Sequence, residues 1–248
     1  MPKDREGLIV GPAADAPFVD VPAGACLVRV AERTFASREA GGLQVQVDRL
    51  ELPAWGRTPQ LSSHAERALI LREATGAVLF EGASTQWETA VNGLTIAWIP
   101  PGCAHAFRST CDVQTHGLLV SVEGTEPKND ASGLRPGAEV VEPGRIPARC
   151  MVSFLTRTLM RKAPPAGRLR LCEMQTLLPG GYVPSHAHDG HCEICYVLCG
   201  RGAMRLGGDD GLLEAGQIAL IPPGLSHGAT NPAKDVLQYV ILQFDIMS

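Results

Sequence analysis

The chain has 248 residues, 45% hydrophobic and 19% charged, with a formal net charge of −4. That length suits one large domain or two small ones, and the composition is that of a globular chain rather than a disordered one. A negative chain without basic runs does not suit general nucleic-acid binding, and no stretch approaches the roughly 18 apolar residues of a membrane span.

The first residues, Met1 to Gly7, are charged and no apolar signal core follows, so a soluble, cytoplasmic protein is expected. Cys192, Cys195 and Cys199, three of eight cysteines, crowd one segment, which fits reduced thiols better than disulfides. With Gly 27 and Pro 19, the chain has many turn signals, which favour short strands. Leu43 to Asp48 alternates as a half-buried strand should. Ser63-His64-Ala65-Glu66 has capping-box form and could open a helix over Arg67 to Ala74. A repeat argues for a strand there instead. Residues 96–105 and 218–227 agree at seven of ten positions, both carrying Ile-Pro-Pro-Gly and ending on His. Leu52-Pro53 before Ser63-His64 is echoed by Leu178-Pro179 before Ser185-His186. Two matches in the same order predict a duplicated domain.

Glu123 to Arg149 is polar and rich in Gly and Pro, and reads as the linker between residues 1–122 and 150–248. A helix is predicted over Ser153 to Arg161. Strands are expected over Leu169–Leu177, Ile194–Leu198, Ile218–Ile221 and Val236–Phe244, each bounded by turn residues. The predicted class is all-β, as sandwiches or small barrels.

The second half carries the chemistry. His186 and His188 are two apart, so on a strand both imidazoles face one side. Asp189-Gly190 can turn the chain, and Glu193 opens the next strand. If Glu193 points inward, Cys195, Val197 and Cys199 share its face, while Ile194, Tyr196 and Leu198 face outward. His227 follows the rigid Pro222-Pro223-Gly224 turn. Three imidazoles and a carboxylate then converge, a donor set for one divalent transition metal, Fe or Mn first, with Ni or Zn also accommodated. Cys192 and Cys195 with the histidines offer a rival zinc-thiolate site, but the second ligand pair such a site needs is absent. Glu173 and Gln175 alternate with Cys172 and Met174, and either face of that strand could line the interior. Cys195 reads as a core residue or a pocket thiol. His191 reads as a surface residue, an acid/base or an alternative ligand. His116 reads as structural or exposed.

These residues carry a family resemblance. Gly180, His186, His188, Glu193 and Gly200 fit the first motif of the cupin superfamily, Gly-x5-His-x-His-x(3–4)-Glu-x6-Gly. Gly216, Pro222, Gly224, His227 and Asn231 fit the second, Gly-x5-Pro-x-Gly-x2-His-x3-Asn. The resemblance implies a double-stranded β-helix (jelly-roll) barrel with His186, His188, Glu193 and His227 as metal ligands. Extended through the repeat, it implies two tandem barrels, a bicupin. The first copy departs from the pattern: it keeps Pro100, Gly102 and His105, but Asn92 or Gly93 stands near the opening Gly and Ser109 replaces Asn231. Aligning Gly76 with Gly200 places Leu69 at the Glu193 position and Ser62 at the His186 position, so no tight metal site is expected there.

The implied function is a metal-dependent enzyme on a small organic acid or related metabolite, with an Fe(II)/Mn(II) dioxygenase put first. A non-redox isomerase, lyase or aminohydrolase would use Glu173 or His191 for proton transfer. A ligand-binding or storage protein is the non-enzymatic alternative. The partner expected is a small-molecule substrate, and sheet-edge pairing leaves room for a homodimer.

Overall fold

The computed structural model describes residues 8–10, 18–21, 25–35, 43–58, 60–62, 64–81, 86–123, 138–160 and 168–246. Nearly all described structure is strand, with one 3-10 turn at Pro143–Arg145. The all-β expectation holds. The helix expected over Ser153 to Arg161 is instead a strand, Leu155–Met160, paired along its length with Leu169–Leu177. Leu155 and Leu159 mimic helical spacing, but the adjacent strand supplies the backbone partners that decide the matter. The capping-box segment likewise leads into a strand, Glu66–Glu81, as the repeat requires. Ser63 itself lies outside the described residues.

In chain order the strands are β1 (Leu8–Val10), β2 (Phe18–Val21), β3 (Ala25–Phe35), β4 (Leu43–Leu52), β5 (Glu66–Glu81), β6 (Gln86–Ile99), β7 (Ala104–Ser109), β8 (Thr115–Val122), β9 (Glu139–Val141) and β10 (Arg149–Cys150). They continue with β11 (Leu155–Met160), β12 (Leu169–Leu177), β13 (Tyr182–His186), β14 (His191–Cys199), β15 (Arg201–Leu206), β16 (Asp209–Glu214), β17 (Ile218–Ile221), β18 (His227–Thr230) and β19 (Leu237–Asp245).

The second half is two sheets face to face. One has the order β1-β17-β14-β19-β12-β11-β10 and the other β13-β18-β15-β16. Between them lies an apolar interior of Leu177, Val197, Met204, Leu213, Ala219 and Leu237. The first half is a single sheet, β2-β3-β4-β8-β5-β6-β9 with β7 on β5, that closes over Leu69, Leu71, Val78, Phe107 and Leu119. Two ladders cross between the halves. β1, from the start of the chain, pairs with β17, and β9, from the expected linker, pairs with β6.

The halves share a third core. Alternation along β14 sends Cys195 and Val197 into their own barrel, and Ile194, Tyr196 and Leu198 out of it. That outward face does not meet water. With Leu220, Val240 and Leu242 it packs on Val45, Val47, Ile70, Trp98 and Val120 of the first half. β14 is therefore buried on both faces and reads as an apolar run from Ile194 to Leu198. At the edge of this core Glu66 is fully buried. Its Oε1 accepts from Trp98 Nε1 (2.5 Å) and the Leu169 amide (2.8 Å), and its Oε2 from the Arg168 amide (2.5 Å). Burial pushes the carboxyl above its ordinary value, against the pull of these donors.

Candidate metal centre

β13 and β18 bring the first two histidines together. His186 and His227 are directly paired across that ladder, with ring centroids 4.3 Å apart. His188 lies in the turn after β13, which is pinned by the Gly224 amide donating to the His188 carbonyl (2.8 Å). Its ring centroid is 4.7 Å from that of His186 and 5.3 Å from that of His227. Glu193 enters from β14, opposite Ile221 and Gln243. Gly200 closes β14 with a φ of 79°, and a Cβ there would lie 2.0 Å from the Val236 carbonyl oxygen, so only Gly serves.

The imidazoles are set for ligation through Nε2. His186 Nδ1 is 2.9 Å from the Pro184 carbonyl, and His227 Nδ1 2.9 Å from the Leu225 carbonyl. A carbonyl only accepts, so each Nδ1 carries the proton and each Nε2 keeps its lone pair. His227 Nε2 is buried without a hydrogen-bond partner. Donor atoms of His186, His188 and His227 lie within 4.8 Å of one another. Ligands about 2.1 Å from a common ion sit at most about 4.2 Å apart, so the three need to draw in only slightly. Glu193 Oε2 is 3.6 Å from His188 Nε2, and Oε1 is 3.5 Å from His227 Nε2. The residues fit a divalent ion held by three imidazoles and a carboxylate.

Electrostatics agree. Burial drives the Glu193 carboxyl up, but the His227 contact and the Gln243 hydrogen bond outweigh it and hold the group below its ordinary value. Burial lowers His227, and the Glu193 carboxylate more than restores it. His188 is pushed down to about 4, by burial first and then by the neighbouring imidazoles, so it presents a neutral ring.

A cavity of about 190 Å³ opens over these groups. Glu173 lines it, which settles the face of β12 that looks inward. Its carboxylate accepts from Thr158 Oγ1 (2.9 Å) and Thr156 Oγ1 (3.3 Å). Gln175 lines it too, accepting from the Tyr239 hydroxyl (2.9 Å). Cys195 does not line it. That thiol is fully buried in the barrel interior, and burial holds it well above its ordinary value. His191 lies behind His188, ring centroids 4.3 Å apart, with Nε2 buried and unpartnered, and is not on the cavity wall. His116 is half-exposed, 3.9 Å from Glu51. Cys103, Cys111, Cys150, Cys172, Cys192, Cys195 and Cys199 are free, and no thiolate zinc cluster forms among the described residues.

Motif reasoning missed Gln243. Its Nε2 donates to Glu193 Oε2 (2.9 Å) and lies 3.5 Å from His188 Nε2. It comes from the last strand, and only the β14–β19 register finds it.

The first half departs from the repeat alignment. Ile99 corresponds to Ile221, and Arg67 pairs with Ile99 and Ser121 as Glu193 pairs with Ile221 and Gln243. Arg67, not Leu69, therefore holds the carboxylate's position. Leu61 bridges His105 as His186 pairs with His227, so Leu61, not Ser62, stands for that ligand. The irregularity between Leu71 and Ala74 shifts the register and misleads an alignment anchored on Gly76. His105 keeps the tautomer of His227, its Nδ1 3.0 Å from the Cys103 carbonyl and its Nε2 buried and unpartnered. Burial, with Arg67 adding to it, holds His105 down to about 4.

Comparison with known proteins agrees with this architecture. The cupin-domain family model matches residues 173–242. An oxalate-binding protein of Thermotoga maritima is 32% identical over 82 residues, 33% of this chain and 68% of that one. Among solved structures, a Pseudomonas aeruginosa protein described as glyoxylate-induced superposes with a TM-score of 0.73 at 18% identity, covering 99% of this chain and 89% of its own. Coconut cocosin gives 0.72 at 14% (98% and 86%), and Lactobacillus farciminis oxalate decarboxylase 0.72 at 12% (97% and 87%). Motifs, barrel geometry and relatives converge: the chain belongs to the cupin superfamily and has the two-barrel fold of a bicupin.

Proposed function

We propose that the chain is a metal-dependent enzyme acting on a small organic acid, with His186, His188, Glu193 and His227 holding one Fe(II) or Mn(II) ion. The observation that carries this reading is the buried Nε2 of His227, without a hydrogen-bond partner and facing the Glu193 carboxylate, at a cavity of about 190 Å³ beside two further imidazoles. An ion held there would supply Lewis acidity toward a substrate carboxylate. Three imidazoles and a carboxylate suit an oxygen-activating ion, so an acid-directed dioxygenase is the first reading. The relative named for oxalate binding supports a small acid as ligand. The protein's own part is to orient the rings through Pro184 and Leu225, fix Glu193 through Gln243, and exclude bulk water behind the apolar interior.

Glu173 favours a second reading. A cavity carboxylate can move a proton without oxygen, as a lyase, isomerase or aminohydrolase requires. An oxygen electrode with metal-loaded protein and a panel of small acids decides. Acid-dependent O₂ uptake, lost in His227→Ala, supports the dioxygenase. Product formed anaerobically moves the assignment to proton chemistry. Metal-dependent acid binding without turnover overturns the enzyme and leaves a binding protein.

A further inference from the structure

We propose that the acid taken by this cavity is a monocarboxylate bearing a hydrogen-bond donor, an amino or hydroxyl group, within a few bonds of the carboxylate, and that Glu173 receives that donor. The inference rests on the reading above, in which the metal holds the substrate carboxylate. It departs from the dicarboxylate that the relatives' names bring to mind.

No Lys or Arg lines the cavity among the described residues. Beyond the four ligands its one charged side chain is the carboxylate of Glu173. The rest of the polar wall is amide and phenol, and these are largely committed. Tyr239 donates to Gln175, and Gln243 donates to Glu193. A dicarboxylate placed here would bring its second negative charge toward Glu173 with no cation but the metal to offset it, an unfavourable contact. A donor reverses the sign of that contact.

Glu173 is also held ready. The hydroxyls of Thr158 and Thr156, from the neighbouring β11, each donate to one of its oxygens. This fixes the carboxylate and leaves further acceptor lone pairs. Its reach follows from the register. Leu171 on β12 is level with Gln243, the residue that bonds Glu193, and Glu173 is two residues further along β12. That is one inward-facing step, about 7 Å along the strand. A donor close to the carboxylate spans that step.

The test compares wild-type and Glu173→Gln full-length protein, both Mn(II)-loaded and freed of excess metal, by calorimetric titration with glycine, glycolate, acetate and oxalate. Gln is isosteric, so thermal melting is expected to match wild type and confirm a common fold. Glu173→Gln is expected to weaken glycine or glycolate about tenfold, the worth of a hydrogen bond to a charged acceptor. The same change should leave acetate within about twofold and strengthen oxalate, by removal of a like charge. Loss confined to glycine identifies the donor as an amine, and loss confined to glycolate identifies a hydroxyl. A shift of equal size and direction for all four acids overturns the proposal while leaving the metal-bound acid intact. Binding that persists in His227→Ala without metal, or no binding of any acid, overturns the metal reading and this one together.

Discussion

Glu66 bonds across the two barrels, and its removal tests how far they depend on each other. It is fully buried and accepts from the Trp98 indole and the Arg168 and Leu169 amides, two of which belong to the other half. Glu66→Ala removes the acceptor of three donors, two of them buried and one partly buried. Each costs about 1–3 kcal/mol, and partial repair by an entering water brings the total to about 3–6 kcal/mol. At about 2–4 °C per kcal/mol for a chain of this size, melting should fall by roughly 6–24 °C. Glu66→Gln keeps the shape and turns one amide toward the Arg168 N–H, for about 1–3 kcal/mol. Guanidinium denaturation followed by tryptophan fluorescence measures both, and Trp98 reports from the bond itself. An alanine variant within about 0.5 kcal/mol of wild type, the range of ordinary surface changes, would refute the reasoning.

Gln243→Leu keeps the strand but removes the donor to Glu193. Metal affinity should drop roughly 10–100-fold in competition with a chelating dye, and an unchanged affinity would show that Glu193 is oriented by other means. Metal analysis of natively purified protein should give one equivalent per chain, unaffected by His105→Ala, because Arg67 and Leu61 occupy ligand positions in the first barrel. A second equivalent lost on that substitution would contradict the register. His105, held down to about 4, is neutral in the folded barrel while its unfolded counterpart gains a proton below 6.5. Its contribution is therefore present above pH 6.5 and lost as pH falls through about 4, by about 3 kcal/mol in all. His105→Gln should flatten that part of the stability profile, and a slope unchanged in the variant would locate the titration elsewhere.

What could be read from the sequence was what short spacings encode. His186, His188 and Glu193 sit within eight positions and His227 follows a rigid turn, so their convergence needs only local geometry and the paired motif. Gln243 acts through a ladder from a strand 50 residues away, and no spacing announces it. Arg67 was hidden by the irregularity in β5, which moves the frame between the Gly76 anchor and the ligand level. Leu155 to Met160 looked helical because two apolar residues four apart satisfy either period. The outward face of β14 could not be assigned a partner, since a residue buried by its own barrel and one buried by the neighbouring barrel have the same composition. Cys195 shared a face with Glu193 as expected, yet the interior closes over it before the cavity begins.

The crossed ladders have a practical consequence. Truncation after Val122 would take β9 from β6, and expression from Cys150 onward would strip β1 from β17, baring a sheet margin in each fragment. Such margins recruit foreign strands, so the severed pieces should associate or precipitate rather than survive as autonomous modules. Each barrel thus wears a splint cut from beyond its own boundary.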